Sequence, residues 1–392
     1  MEICKYYHNA QAPVILSIDD LSFTAILSNG KLIAADDWGY GLNEANGIWR
    51  YLEDTLFKFY PEVRGTIFFP LNIKHGVQNL HAGYDVVFRE NKEEIAEFFK
   101  CIQQRFEIAF HGTNHGRYKD VQNPQIADNW QQEFEYLTLS DVAYLKEVIK
   151  DFEREYNINF TGGKYPGYRG SDVSEELIQA IGFSWWMRKA DMCGKRCKDN
   201  DYAYFGQNGQ ILDIPTNVDS SIFRRQLNVR RVDSLKIRLK QKIPFVASMW
   251  ATLKKCKKEV YIEYLYDNSL PITIQSHFSS MRTDGYRQTP ALYDDMESLL
   301  GIYALIRGAD VWYTTCGDLS EYIHSYNQAV LLNMDNKYKL SFRDGDTSRK
   351  VTVSSNYRRL KREEDGRVIF GCYHRGKWLY DDLGAGIYVG EE

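Results

Sequence analysis

Nowhere in the 392 residues does an apolar run approach the roughly 20 residues that cross a membrane as a helix. The start, Met1 to Ala12, is polar and holds no apolar stretch of the length an export signal needs, so we expect a cytoplasmic protein. Cysteine is sparse as well. The seven cysteines, Cys4, Cys101, Cys193, Cys197, Cys256, Cys316 and Cys372, are odd in number and mostly scattered, unlike the dense, even set of a disulfide scaffold. An excess of positive charge is also missing. A formal charge of −4 argues against a phosphate-backbone partner, so no nucleic acid is expected. There are no repeats and no low-complexity segment. Disorder is excluded by a hydrophobic content of 44% against 26% charged residues.

Aromatic residues are plentiful. They make up 14% of the chain, with 28 Tyr and 8 Trp. Such rings fill cores and surfaces, and they also stack on sugars. The length suits one large α/β domain with an appendage. Short β-branched and aromatic runs alternate with helical patterns, the signature of βα units around a parallel sheet or barrel. Candidate strands are Val14–Ile18, Gly65–Phe69, Glu107–Phe110, Thr161–Tyr165, Phe183–Met187, Ile211–Ile214, Ile272–Gln275 and Val311–Thr315. Candidate helices are Asn43–Tyr60, Lys92–Gln104, Asn129–Tyr156, Ser174–Ile181, Ser234–Lys240 and Ala291–Arg307. Asn129–Tyr156 is the longest, free of Gly and Pro. We therefore expect a distorted (β/α) barrel of seven or eight strands over residues 1–326. The pattern changes near Tyr326 to short alternating runs, which predicts a small all-β module over 327–392. Asp344-Gly345 reads there as a hairpin turn between two strands.

The first strand ends in Ser17-Ile18-Asp19-Asp20. Chemistry in a parallel barrel sits at the carboxyl ends of strands. Two adjacent carboxylates there cannot point the same way, so one can bind a metal while the other faces substrate as a base. The pair by itself is a weak signal, because Asp-Asp also caps helices, and Asp36-Asp37 occurs in this same chain. The third strand runs into His111-Gly112-Thr113-Asn114-His115. Histidines at i and i+4 share one face of a helical turn and can chelate one ion. Asp20, His111 and His115 make a facial N,N,O set for zinc or another first-row divalent ion, with Co, Ni and Mn as variants.

These residues resemble the polysaccharide-deacetylase family, also called the NodB-homology or carbohydrate-esterase-four group. Its members carry an Asp-Asp pair whose first residue is the base and whose second binds the metal. A His-x-x-x-His metal motif follows, then an Arg-x-Pro segment, and later a strand ending in an acid His. The matching positions here are Asp19-Asp20, His111 and His115, Lys164-Tyr165-Pro166-Gly167, and Ile274-Gln275-Ser276-His277. The resemblance spans roughly Pro13 to Tyr326. It implies a divalent ion on Asp20, His111 and His115, Asp19 as base and His277 as acid. It also implies an oxyanion-binding N–H near Gly167. Four departures mark a divergent branch: Leu21 for Gly, Gly112 for Ser or Thr, Lys164 for Arg, and Trp185-Trp186 as a loose counterpart of a Trp motif. Lys164 can pair with Asp19 without the bidentate fork, and Arg169 is the alternative for that role. Trp186 is the candidate for the substrate-facing Trp.

Other residues have blander readings. His75 and His81 lie in a polar loop, as surface or rim groups. Cys193 to Cys197 is a basic loop, Asp213-Ile214-Pro215 shapes the cleft, and Arg358–Arg362 is a solvated hairpin face. For His8, His324 and His374 no partner is evident. The expected activity is hydrolysis of an N-acetyl or N-formyl group from a sugar or glycan, as a step in cell-surface polysaccharide synthesis. The rival readings are a metallo-amidohydrolase acting on a non-sugar amide and a non-catalytic glycan-binding protein.

Overall fold

The computed structural model describes residues 1–21, 24–28, 31–32, 48–71, 85–88, 92–113, 115, 117–118, 127–128, 133–190, 201–205, 209–224, 257–278, 289–334 and 337–391. They separate into two compact units, Val14–Ala309 and Met1–Pro13 with Asp310–Glu392. Asp36-Asp37, His75, His81, Cys193 to Cys197 and the candidate helix Ser234–Lys240 lie outside the described residues.

The larger unit is built on seven strands: β1 (Ala12–Asp19), β2 (Gly65–Phe69), β3 (Phe106–Phe110), β4 (Gly162–Lys164), β5 (Trp185–Lys189), β6 (Ile211–Thr216) and β7 (Ile272–His277). The run β7-β1-β2-β3-β4-β5-β6 is parallel throughout. After Asn217 the chain leaving β6 continues as Val218–Asp219 and pairs in parallel with β7, which closes the ring. The seam is stitched by side chains. Asn217 Nδ2 donates to the Pro271 carbonyl at 2.8 Å, and Thr273 N donates to Asn217 Oδ1 at 3.1 Å. Beyond it, Ser220 N donates to Gln275 O at 2.8 Å. Every residue of β1 is buried, as expected of a parallel strand covered on both faces.

Helices α1 (Lys92–Ile102), α2 (Val142–Tyr156), α3 (Asp172–Ile181) and α4 (Leu292–Leu305) lie between the strands in sequence. Ser171 caps α3, accepting from Ser174 N, and Gly182 ends it at φ +103°. The long helix expected over Asn129–Tyr156 is not continuous. Glu133–Tyr136 forms one short turn, and the chain is extended at Thr138 before Leu139–Asp141 and α2 begin. The break is written in Thr138 and Asp141, which form a capping box and restart the helix. A helix over 257–267 was not evident from the sequence. No helix among the described residues is long and apolar enough to cross a membrane.

The smaller unit contains the strand Val311–Tyr313, helix α5 (Cys316–Gln328) and two antiparallel sheets. Its later strands are β8 (Ala329–Met334), β9 (Lys337–Phe342), β10 (Val351–Ser355), β11 (Arg359–Arg362), β12 (Val368–Phe370), β13 (Cys372–His374), β14 (Lys377–Leu383) and β15 (Gly386–Glu391). One sheet runs β8-β9-β15-β11-β12, and the other runs from Glu2–Ile3 through β10 and β14 to β13. Leu340, Phe342, Val351, Val353, Leu360, Tyr380, Leu383 and Tyr388 form their shared apolar core. Asp344-Gly345 does make a turn, with Gly345 at φ +76°, but not the expected hairpin. It hands the chain from β9 in one sheet to β10 in the other, because β9 already has β8 and β15 on its two edges. His8 and His374 do have partners. His8 Nδ1 lies 2.7 Å from Asp381 Oδ2, and His374 Nε2 lies 3.0 Å from Asp310 Oδ2.

Candidate metal centre

The carboxyl ends of four barrel strands carry the candidate residues to one rim. Asp19 is the last residue of β1, and its parallel register partner on β7 is His277. Lys164 ends β4, and His111 follows β3 directly. Asp20 leaves β1 at φ +67°, a left-handed conformation uncommon for a non-glycine residue. The two neighbouring carboxylates thereby diverge, one to Lys164 and the other to the histidines.

Asp20 is buried, and its Oδ1 lies 3.1 Å from His115 Nε2 and 3.5 Å from His111 Nε2. One ligand atom from each of the three residues lies within 4.8 Å of the others, close enough to surround a single ion. Burial opposes ionisation of Asp20. The adjacent His115 and His111 outweigh it and hold the carboxyl well below the usual carboxylate range. His111 is oriented from behind. Its Nδ1 lies 2.9 Å from the Lys164 carbonyl oxygen, which can only accept, so Nδ1 carries a proton and Nε2 is the ring nitrogen turned to the site. Two imidazoles and one carboxylate fit zinc or a similar divalent ion.

The His-x-x-x-His segment is not the helical turn expected from its spacing. Gly112 has φ +83° and His115 φ +60°, so the chain is irregular here. What holds it is Glu133, a buried carboxylate that nothing in the sequence pattern singled out. Its Oε1 accepts from Thr113 N at 2.8 Å and Thr113 Oγ1 at 2.7 Å, and its Oε2 accepts from His115 N at 2.7 Å. A Cβ at residue 112 would come within 2.4 Å of Glu133 Oε2, which accounts for glycine there.

Asp19 faces a different set of groups. Lys164 Nζ donates to its Oδ1 at 2.9 Å and its Oδ2 at 2.6 Å, and Gln275 Nε2 donates to Oδ2 at 3.1 Å. His277 Nε2 is 3.7 Å from the same Oδ2, while His277 Nδ1 donates to the Pro290 carbonyl at 2.6 Å. Burial alone would neutralise Lys164. The Asp19 charge outweighs it and holds the ammonium above its ordinary pKa. The ammonium also lies 4.3 Å from the Tyr168 ring centroid. Burial pushes Tyr168 up to about 12, and its hydroxyl donates to Gln275 Oε1 at 2.6 Å. Tyr168 and Gln275 were not foreseen. Gln275 could have been, since it lies two residues before His277 on the same face of β7.

Gly167 sits at φ +56° in the turn Pro166–Tyr168 that follows β4. Arg169 is turned elsewhere: its Nε pairs with Glu135 at 3.1 Å, and the cation on Asp19 is Lys164. Trp186 is fully buried and stacked among Phe134, Tyr165 and Phe183. Asp213 is a buried partner of Arg188, whose Nε donates to it at 2.7 Å.

No protein-family model matches the chain, and no curated protein matches it. Among solved structures it is similar to a Mycobacterium smegmatis protein described as a polysaccharide deacetylase. That match has a TM-score of 0.45 and 13% identity, and covers 83% of this chain and 95% of the other. Puue allantoinase is similar at a TM-score of 0.39 and 12% identity, over 82% and 92% of the two chains. A Pseudomonas aeruginosa PAO1 protein, also described as a polysaccharide deacetylase, is similar at a TM-score of 0.40 and 13% identity, over 79% and 90% of the two chains.

Proposed function

We propose that this chain is a metal-dependent hydrolase that removes an N-acyl group, acetyl or formyl, from an amino sugar or glycan. The observation that carries the reading is the meeting, at one barrel rim, of a buried Asp-His-His group with a separate carboxylate held by a buried ammonium. Asp20, His111 and His115 would hold one divalent ion, most simply zinc. Such an ion polarises a bound carbonyl and lowers the pKa of water towards about 7.

The chain's own residues do the rest. Asp19 takes the proton of the attacking water. Lys164 and Gln275 keep its carboxylate pointed at the site. His277 is anchored through Nδ1–H to Pro290, so its Nε2 is the atom that hands a proton to the leaving amine. The N–H near Gly167 steadies the carbonyl oxygen as charge develops on it. Lys164 in place of arginine is the feature that favours a non-catalytic glycan binder. Its contact with both oxygens of Asp19 supports the catalytic reading instead.

The test is acetate and formate release from a panel of acylated nucleotide sugars and oligosaccharides, run beside elemental analysis. About one divalent ion per chain and a free amino sugar are expected. Asp19→Asn should keep the metal and lower turnover by about 10²–10⁴-fold. Metal loss equal to that of Asp20→Asn would reverse the two carboxylates. A metal-loaded chain that releases acyl groups from amides but from no sugar would replace the glycan substrate.

A further inference from the structure

We propose that Glu133 is a positioning residue for the metal ligands, a carboxylate clamp that gives the His111–His115 loop its shape and so sets where His115 points. The inference rests on the reading that Asp20, His111 and His115 hold a metal. A pair of histidines at i and i+4 is ordinarily aligned by helix geometry. Here the segment is not helical, and Gly112 and His115 both take left-handed conformations. Main-chain donors in such a segment need partners from elsewhere. Both oxygens of Glu133 supply them: one takes Thr113 N and Oγ1, the other His115 N. The clamp is tight, since Oε2 occupies the space a side chain at residue 112 would need. The carboxylate is itself buried, as are Thr113 and His115, so these bonds are shielded from solvent.

The two histidines are thus oriented in different ways. His111 is set through its ring, by the Lys164 carbonyl on Nδ1. His115 is set through its backbone, by Glu133. Groups behind metal ligands commonly contribute 10–100-fold to affinity, and Glu133 is expected to act in that range. Glutamine at 133 would keep one acceptor for Thr113 but turn an NH₂ towards the His115 N–H, donor against donor. Aspartate would be one methylene too short to serve both residues. Thr113→Val would remove only the hydroxyl bond and leave both main-chain bonds in place.

The experiment uses the full chain with zinc in competition with a chromophoric chelator, and cobalt(II) absorption as a report on ligand geometry. Glu133→Gln should bind zinc about 10–100-fold more weakly and show an altered cobalt band, with the far-ultraviolet circular dichroism of wild type. Thr113→Val should stay within about 3-fold of wild type, since both main-chain bonds remain. If Glu133→Gln does not fold, Glu133→Asp serves in its place with the same expectation. Wild-type affinity and an unchanged cobalt band in either folded Glu133 variant overturn the clamp alone. A wild-type chain that takes up neither zinc nor cobalt removes the metal centre itself, and the clamp with it.

Discussion

A lysine facing a carboxylate delivers a point charge, whereas an arginine delivers a planar fork. At Asp19 the difference is made good by a second residue. Lys164 reaches both oxygens, and Gln275 adds a fixed donor to Oδ2, itself held by the Tyr168 hydroxyl. His277 Nε2 lies 3.7 Å from the same oxygen. If it is the acid, His277→Ala should lower amide turnover about 10²–10⁴-fold with metal content intact. The defect should shrink on an activated phenyl ester, whose leaving group needs no proton. Equal losses on both substrates would return His277 to packing. Asp19, Asp20, His111 and His277 were legible because each ends or follows an apolar strand, Asp19 and Asp20 at β1, His111 after β3 and His277 on β7, whereas Lys164, on the glycine-rich β4, was reached only through the family resemblance. Glu133 was not legible, because its role depends on a fold that returns it to a loop some 20 residues earlier in the chain.

At the scale of elements, β4 is the strand that fixes Lys164, and its neighbours leave room only for glycine before it. Gly163 is the register partner of Phe110 on β3. A Cβ there would lie 2.4 Å from the Phe110 carbonyl oxygen and 2.7 Å from the Trp186 ring. Gly163→Ala should therefore destabilise the chain by about 1–3 kcal/mol or more in denaturant unfolding, and should weaken metal binding by shifting the Lys164 carbonyl behind His111. Wild-type stability in this variant would mean that β3 and β4 can part without cost. The same crowding explains what periodicity missed. The strand was expected over Thr161–Tyr165, but a glycine pair says nothing by itself of the tryptophans packed against it. The helix expected over Asn129–Tyr156 was overextended because its apolar period runs on through Thr138, where a cap and not the period decides. Asp344-Gly345 was legible as a turn, but a turn signal does not name the strand that follows as its partner.

At the scale of the whole molecule, the alternation of strands and helices foretold the barrel, and short alternating runs foretold the β-rich region after it. Links between distant segments left no local trace. Glu2 pairs with Ser354 and His8 with Asp381, contacts no window of sequence can display. The way the ring closes was equally hidden, because it depends on one uninterrupted stretch serving two neighbours, β5 through β6 and β7 through Val218–Asp219. That closure ties the rim to the seam. Gln275, which steadies Asp19 with its side chain, accepts Ser220 N with its main chain. The Ser220 amide should thus exchange with solvent deuterium only when the ring parts beneath the base, which makes its protection a clock for how long the barrel stays shut.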